Sequence, residues 1–422
     1  MKVVHVSNSD TDGGAAIAAR RHVVALNRLG IDTVLLVQEK KTSLPFVTGT
    51  TDSACKRGLN FYRFAWERFL FYLRERSREV RFLFSLANTG EDISRHPLIR
   101  NADIIHLHWI NQGFLSLRSI QKIIALGKPV VWTLHDMWLF TGGCHHSGTC
   151  EEYRNACGNC PFVKNPGKKD LSTKIWRRKS KILPSSGITV ITCSDWLRNR
   201  AVASSLLKGL NVLTIPNPLD THIFKPMEKA EARKSLGVDP MKEYLLFGAV
   251  NVNNHYKGFK WFVEALDILI REYPESVKNL EVLVFGRSTD DLLQMIPLPS
   301  HRIPGTGSEE KMCSIYNSAT MFVTSSLQEN LPNTIMESFA CGIPVVAFNT
   351  GGIPEMIRHK ENGYLAGYKS SADLADGIKW VMNQDNKQKL SENAINFVME
   401  HYAEIVVAAR VQSVYLNPGS KK

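Results

Sequence analysis

Runs of Val, Ile and Leu that are apolar on both faces alternate along the chain with longer amphipathic stretches. Lys2–Ser7, Thr33–Gln38, Asp103–His108, Pro129–Leu134, Ile188–Cys193 and Asn211–Ile215 read as strands. Near-continuous apolar runs of this length are the mark of parallel strands covered on both sides. After the turn Asn8–Gly14 a helix is predicted from Ala15 to about Leu29, stopped by Gly30. Past Pro216-Asn217-Pro218 the rhythm restarts, with strands at Tyr244–Val250, Glu281–Gly286, Thr320–Thr324 and Pro344–Phe348 and helices at Phe259–Arg271 and Asn333–Ala340. Two successive β/α series predict an α/β protein of two doubly wound domains, residues 1–216 and 217–401, with a cleft at the carboxyl ends of their sheets where ligands bind. A last helix, near 402–416, is expected to pack back on one of the two.

Composition narrows the class. At 422 residues, 44% hydrophobic and 22% charged, the chain excludes disorder, collagen and coiled coil. No apolar run approaches the roughly 18 to 20 residues of a membrane span, and MKVVHVSNSD turns polar too soon for a signal peptide. A cytoplasmic protein, peripheral on the inner face of the membrane, is expected. Residues 1–217 hold 31 Lys+Arg against 16 Asp+Glu, a net +15, whereas the other 205 hold 21 against 24, a net −3. The N-terminal half therefore faces something anionic: headgroups, phosphate-bearing substrates or nucleic acid.

The segment Ser325–Pro344, SSLQENLPNTIMESFACGIP, carries the most chemistry. A strand ends, a loop holds Glu329, and a helix begins near Pro332 with Glu337 inside it. Pro suits a first helical turn, where its missing N–H is unpaired in any case. The amides of Asn333, Thr334 and Ile335 then form a positive helix end suited to a diphosphate, and Glu337 offers two acceptor oxygens to a ribose diol. The bland alternative is a capped helix with two solvated carboxylates.

Glu329-Asn-Leu-Pro-Asn-Thr-Ile-Met-Glu337-Ser-Phe-Ala-Cys-Gly342-Ile-Pro344-Val, followed by Asn349-Thr-Gly351-Gly352-Ile-Pro354-Glu355, resembles the E-x7-E signature and G-G-x-x-E turn of the retaining nucleotide-sugar glycosyltransferases of family 4, which have the GT-B fold. The resemblance implies that Glu337 holds the ribose hydroxyls and that Glu329 faces the sugar ring. It assigns the backbone of Asn330, Leu331, Asn333 and Thr334 to donor sugar and phosphate. NHYKGF at Asn254–Phe259 is similar to the family's Lys-Gly, which puts Lys257 on the donor diphosphate, where an ammonium stabilises the departing charge. The family's neighbouring Arg is missing from Phe247-Gly-Ala-Val-Asn251. Arg287, at the end of the next strand, is the candidate substitute, against the plain reading of a surface arginine.

In the N-terminal half, Asp12-Gly13-Gly14 sits at the first strand-to-helix turn, where glycines permit close approach of a ligand. By resemblance Gly13 and Gly14 face donor phosphates and acceptor, and His135 contacts the donor sugar near its reacting carbon. His106 and His108 read as core. No complete G-x-G-x-x-G is present, so a dinucleotide redox site has no support.

Cys144-x5-Cys150-x6-Cys157-x2-Cys160 forms a Cys-rich insert at about 141–161, with the spacing of a structural zinc site. Unligated or paired cysteines are the alternative. The insert resembles one in a subgroup of capsule and exopolysaccharide transferases, and it would order the loop after His135. Residues Lys56–Arg81 combine eight Lys/Arg, three Glu and seven aromatics, and Lys174–Lys181 is a second basic run. The first reads either as a core helix with a solvated face or as a helix lying on an anionic membrane.

Together these features predict a glycosyltransferase that moves a sugar from a nucleoside diphosphate donor, without a catalytic metal, to a glycan or lipid-linked glycan acceptor in bacterial surface polysaccharide synthesis. A nucleotide-sugar epimerase on the same fold is one alternative. The other is a basic zinc-containing nucleic-acid-binding module, disfavoured because nothing resembles a recognition finger; nucleic acid is not expected as a partner.

Overall fold

The computed structural model describes residues 1–184, 186–383 and 387–418. Among them thirteen strands form two wholly parallel sheets. The first holds β1 (Lys2–Ser9), β2 (Asp32–Glu39), β3 (Val47–Gly49), β4 (Ile104–Leu107), β5 (Val130–Leu134), β6 (Thr189–Thr192) and β7 (Asn211–Thr214), in the order β3-β2-β1-β4-β5-β6-β7. The second holds β8 (Glu243–Asn251), β9 (Leu280–Arg287), β10 (Ser300–Ile303), β11 (Met321–Thr324), β12 (Val345–Phe348) and β13 (Gly363–Ala366), in the order β10-β9-β8-β11-β12-β13. Each order reverses direction once, between β1 and β4 and between β8 and β11. In an open α/β sheet such a reversal opens a crevice at the carboxyl ends of the two strands.

Three strands absent from the apolar pattern, β3, β10 and β13, all lie at sheet edges. An edge strand is half covered, so its residues are only partly buried and the apolar run that marks an interior strand is missing.

Alternate residues of each interior strand feed two cores. On one face of the first sheet Val4, Val6, Ile105 and Leu107 pack with Ile120 and Trp138. On the other, Val3, Ile104, Val131 and Ile191 pack against Ala25 and Leu26 of the helix Gly14–Arg28 and against Val407, Ala408, Val411 and Tyr415 of the last helix, Glu404–Leu416. The chain thus divides into two compact units. One comprises Met1–Pro216 together with the chain from Val407 onward, and the other Asn217–Val406. In the second unit Phe247, Phe262, Leu266 and Val284 centre the core. Among the described residues no helix is long and apolar enough to cross a membrane.

Candidate functional site

The direction reversal of the second sheet sets two loops side by side, one leaving β8 and one leaving β11. They are stitched together: the Leu327 amide donates to the Tyr256 carbonyl at 2.7 Å and the Ser325 hydroxyl to the Gly258 carbonyl at 2.8 Å. Gly258 has φ +67°, and a Cβ there would meet the Ser325 carbonyl oxygen at 1.9 Å, so glycine is required on both counts. A third loop, leaving β12, closes on the same place. The Gly352 amide donates to the Glu329 carbonyl at 3.1 Å, and a Cβ on Gly351 (φ +60°) would lie 1.8 Å from that oxygen. Held this way, Lys257 Nζ reaches Glu329 Oε1 at 2.5 Å, with side chains 31% and 18% exposed. The pair is open enough for a ligand to reach yet partly desolvated, which strengthens its charge–charge interaction.

Asn330 and Leu331 are buried beyond Glu329, and the helix Asn333–Ala340 starts after Pro332. The amide of Ile335 is bonded to the Pro332 carbonyl at 3.1 Å, a correction to the expectation that it faces the loop: the first turn tightens and takes that donor for itself. Asn333 Oδ1 accepts from Asn217 Nδ2 at 3.3 Å, and Thr334 occupies the next helical position. Glu337 is buried, with Oε2 accepting from the Tyr316 hydroxyl at 2.8 Å. Tyr316, on the helix Glu309–Ser318, was not singled out from sequence, where a tyrosine on an apolar helix face carries no functional signal. Arg287 ends β9 in register with Asn251, is exposed, and makes no ion pair with Glu329 among the described residues.

In the first unit, Gly13 has φ +88° and caps the helix Gly14–Arg28; nothing lies within 4 Å of where its Cβ would be. That helix end has no side-chain cap and no acidic residue in its first turn. Asp10 shapes the preceding turn, accepting from the Thr42 amide and hydroxyl and from the Lys41 amide.

His135 follows β5 and begins a buried relay. His108 Nδ1 lies 3.1 Å from His135 Nε2, and His5 Nδ1 lies 2.9 Å from His108 Nε2. The Tyr415 hydroxyl lies 3.1 Å from His5 Nε2 and 2.5 Å from His106 Nδ1, and His106 Nε2 lies 2.7 Å from Thr133 Oγ1. One direction of protons along the row satisfies every nitrogen with all imidazoles neutral. Burial keeps them so, holding His5 at about 3 and His135 at about 4, with His22, His106 and His108 also well below the usual range. His5 and His106 are register partners on β1 and β4, so the signal in the sequence was a histidine recurring inside apolar strands. Asp136 is half-buried. Burial opposes its ionisation, but the charge and hydrogen bond of His145 at 2.6 Å, with the Trp138 amide, hold its carboxyl down at about 2.

Cys144, Cys150, Cys157 and Cys160 all line one small enclosure with Phe84 and Tyr153. The helix Ala54–Tyr72 buries only Glu67, Arg68 and Phe71 and leaves Phe61, Tyr62, Trp66, Phe69 and Tyr72 exposed, 41 to 70%. Beside it a groove of about 610 Å3 is lined by Arg74, Lys164, Lys169, Lys174 and Arg178 over Leu70 and Leu73.

Residues 12–223 match the family model described as Glycosyltransferase Family 4, and residues 242–384 that described as Glycosyl transferases group 1. The D-inositol 3-phosphate glycosyltransferase of Paenarthrobacter aurescens is 30% identical over 381 residues, 87% of this chain and 84% of that one. The putative colanic acid biosynthesis glycosyl transferase WcaC of Escherichia coli is 24% identical, over 60% of this chain and 62% of its own length. The first curated relatives are matched over only 47 to 66% of their length. Among solved structures, HepE of Anabaena in complex with UDP and glucose superposes with a TM-score of 0.63 at 15% identity, over 99% of this chain and all of that one. The whole-chain likeness shows the GT-B fold.

Proposed function

The chain belongs to glycosyltransferase family 4, and from that premise we propose that it transfers a sugar from a nucleoside diphosphate donor to a glycan or lipid-linked glycan, with retention of anomeric configuration, in bacterial surface polysaccharide synthesis. The observation that carries the reading is the Lys257–Glu329 pair, held by three loops at the reversal of a parallel sheet. The likeness to WcaC supports the polysaccharide setting.

In this reading Lys257 binds the donor diphosphate and stabilises the charge that gathers on it as the glycosidic C–O bond breaks. Glu329 faces the developing oxocarbenium ion. Glu337, oriented by Tyr316, takes the ribose hydroxyls, while the backbone from Asn330 to Thr334 holds sugar and phosphate. Arg287 stands in as a second cation for the diphosphate. Gly13 and Gly14, at the start of the first helix, serve phosphate and acceptor, and neutral His135 contacts the donor sugar. Attack occurs on the face the nucleotide leaves. The acceptor oxygen forms the new bond to the anomeric carbon as the bond to the diphosphate breaks, and its proton passes to the departing phosphate oxygen. No catalytic metal is needed, because Lys257 and the helix amides supply the positive charge. The exposed aromatics of Ala54–Tyr72 and the basic groove beside them suit an anionic membrane that carries the acceptor.

Calorimetric titration with UDP, GDP and ADP tests the donor site, UDP first because HepE holds it. One nucleotide should bind wild type, and Lys257→Ala should weaken it by about 1.5 to 3 kcal/mol, tenfold or more. Binding of none overturns the donor site. Interconversion of the free donor sugar without any acceptor would make the enzyme an epimerase, and a covalent glycosyl-enzyme at Glu329 would exclude front-face attack.

A further inference from the structure

We propose that Cys144, Cys150, Cys157 and Cys160 together hold one structural zinc ion that orders the segment following His135. All four residues line a single enclosure of about 10 Å3, room for the centre of one water-sized particle. Besides the cysteines its wall holds Phe84, Tyr153, Phe162 and Pro161 together with Ser147, Glu152 and Ser172, and four thiols around one small space suit a soft-ligand dication. All eight cysteines of the chain are unbridged, which leaves these thiols available as ligands.

The backbone around the enclosure is shaped for a clamp. Cys157, Gly158 and Asn159 adopt φ +53°, +118° and +46° in succession. Two of these are not glycine, and such a turn persists only where something else determines it. The Gly142 amide donates to Cys157 Sγ at 3.1 Å, an outer hydrogen bond of the kind that orients a metal-bound thiolate. Between Thr141 and Asp170 the only regular structure is one three-residue 3-10 turn, Glu152–Arg154. A stretch that long without its own elements is uncommon in a compact domain unless something ties it down.

Charge balance points the same way. Zinc with four thiolates carries a net charge of −2 once the four thiol protons have left. Lys179 is buried to 1% exposure and has no carboxylate partner among the described residues; its ammonium donates to the Thr141 carbonyl at 3.0 Å and to the Trp138 carbonyl. It is a counter-charge supplied by the helix Leu171–Ser180, which follows the cysteine-bearing segment. No three of the four sulfurs lie within 4.8 Å of one another among the described residues. A zinc ion bonded at about 2.3 Å needs tetrahedral sulfurs about 3.8 Å apart, so loading draws them inward and shrinks the enclosure. The effect reaches the candidate active site: His145, next to Cys144, holds Asp136, the neighbour of His135.

Elemental analysis of the purified full-length chain tests this. One zinc per chain is expected, lost in Cys157→Ser/Cys160→Ser and kept in Cys55→Ser, whose sulfur lies on an exposed helix end. Should the double variant fail to fold, cobalt exchanged into wild type decides: thiolate-to-metal charge-transfer bands with tetrahedral d–d bands are expected. Trace zinc in wild type, full zinc in the double variant, disulfides among the four cysteines, or a cobalt spectrum lacking thiolate bands would each overturn the site.

Discussion

Lys257 and Glu329 lie 72 residues apart in sequence and 2.5 Å apart in space. In the absence of donor each neutralises the other. A diphosphate that takes Lys257 must compete with Glu329 for it, and in doing so releases the carboxylate toward the sugar. Binding the donor and arming the site are then one event. It follows that Glu329→Gln should bind the nucleoside diphosphate at least as tightly as wild type while losing transfer, whereas Lys257→Ala should lose at least tenfold in binding. Titration calorimetry beside a product assay separates the two; equal weakening in both variants would contradict the competition.

The loops that hold this pair depend on two glycines. Gly258→Ala and Gly351→Ala each place a Cβ within 2 Å of a backbone carbonyl at positive φ. Each should cost about 1 to 3 kcal/mol or more and depress nucleotide binding. Gly305→Ala, with nothing within 4 Å of the new methyl, is the control and should melt like wild type. Denaturant titration of the three variants reads the difference.

The row of neutral histidines sets an acid limit. On unfolding, these imidazoles return to the usual value of 6.5, whereas in the folded chain His135 stays neutral to about 4 and His5 to about 3. Between those values the unfolded state binds more protons, so stability is full above pH 6.5 and falls as the pH drops toward 4. Unfolding by urea at several pH values should show an uptake of roughly one proton per buried histidine, His22 included. A stability independent of pH over this range would mean that the imidazoles are already charged or exposed.

Exposed aromatics predict a surface rather than a core. Replacing Phe61, Trp66 and Phe69 by Ser should leave the melting temperature within a few degrees of wild type, because 41 to 70% of each residue is already in water. It should abolish sedimentation with vesicles containing phosphatidylglycerol. For wild type, raising salt should weaken that sedimentation, since the neighbouring cations contribute through screened charge. Equal binding to neutral vesicles would remove the electrostatic part of the argument.

The site's chemistry was legible where it lies in a contiguous stretch. Glu329, Glu337, Gly351 and Lys257 each sit in a short motif whose residue types follow from binding a diphosphate and a diol, and interior strands such as β5 and β11 announce themselves by unbroken apolar runs. Illegible parts depend on residues meeting across the sheet. Nothing in the text of the chain says that Tyr316 touches Glu337, or that Tyr415 joins His5 to His106 across 410 and 309 residues. The Ile335 amide turns inward to Pro332 because helix ends choose between ligand and first-turn hydrogen bonds by backbone geometry, which residue identity does not encode.

The last helix adds a consequence for how the molecule is made. Val407, Val411 and Tyr415 complete the core against β1 and β4, although they are translated only after the whole of the second unit. The first unit to emerge therefore waits, its sheet uncovered and its buried histidines wetted, until translation has run through the whole of the second. A chain cut off just before residue 407 would carry the whole of the second unit, Asn217–Val406, beside a first unit whose sheet is still bare on one face.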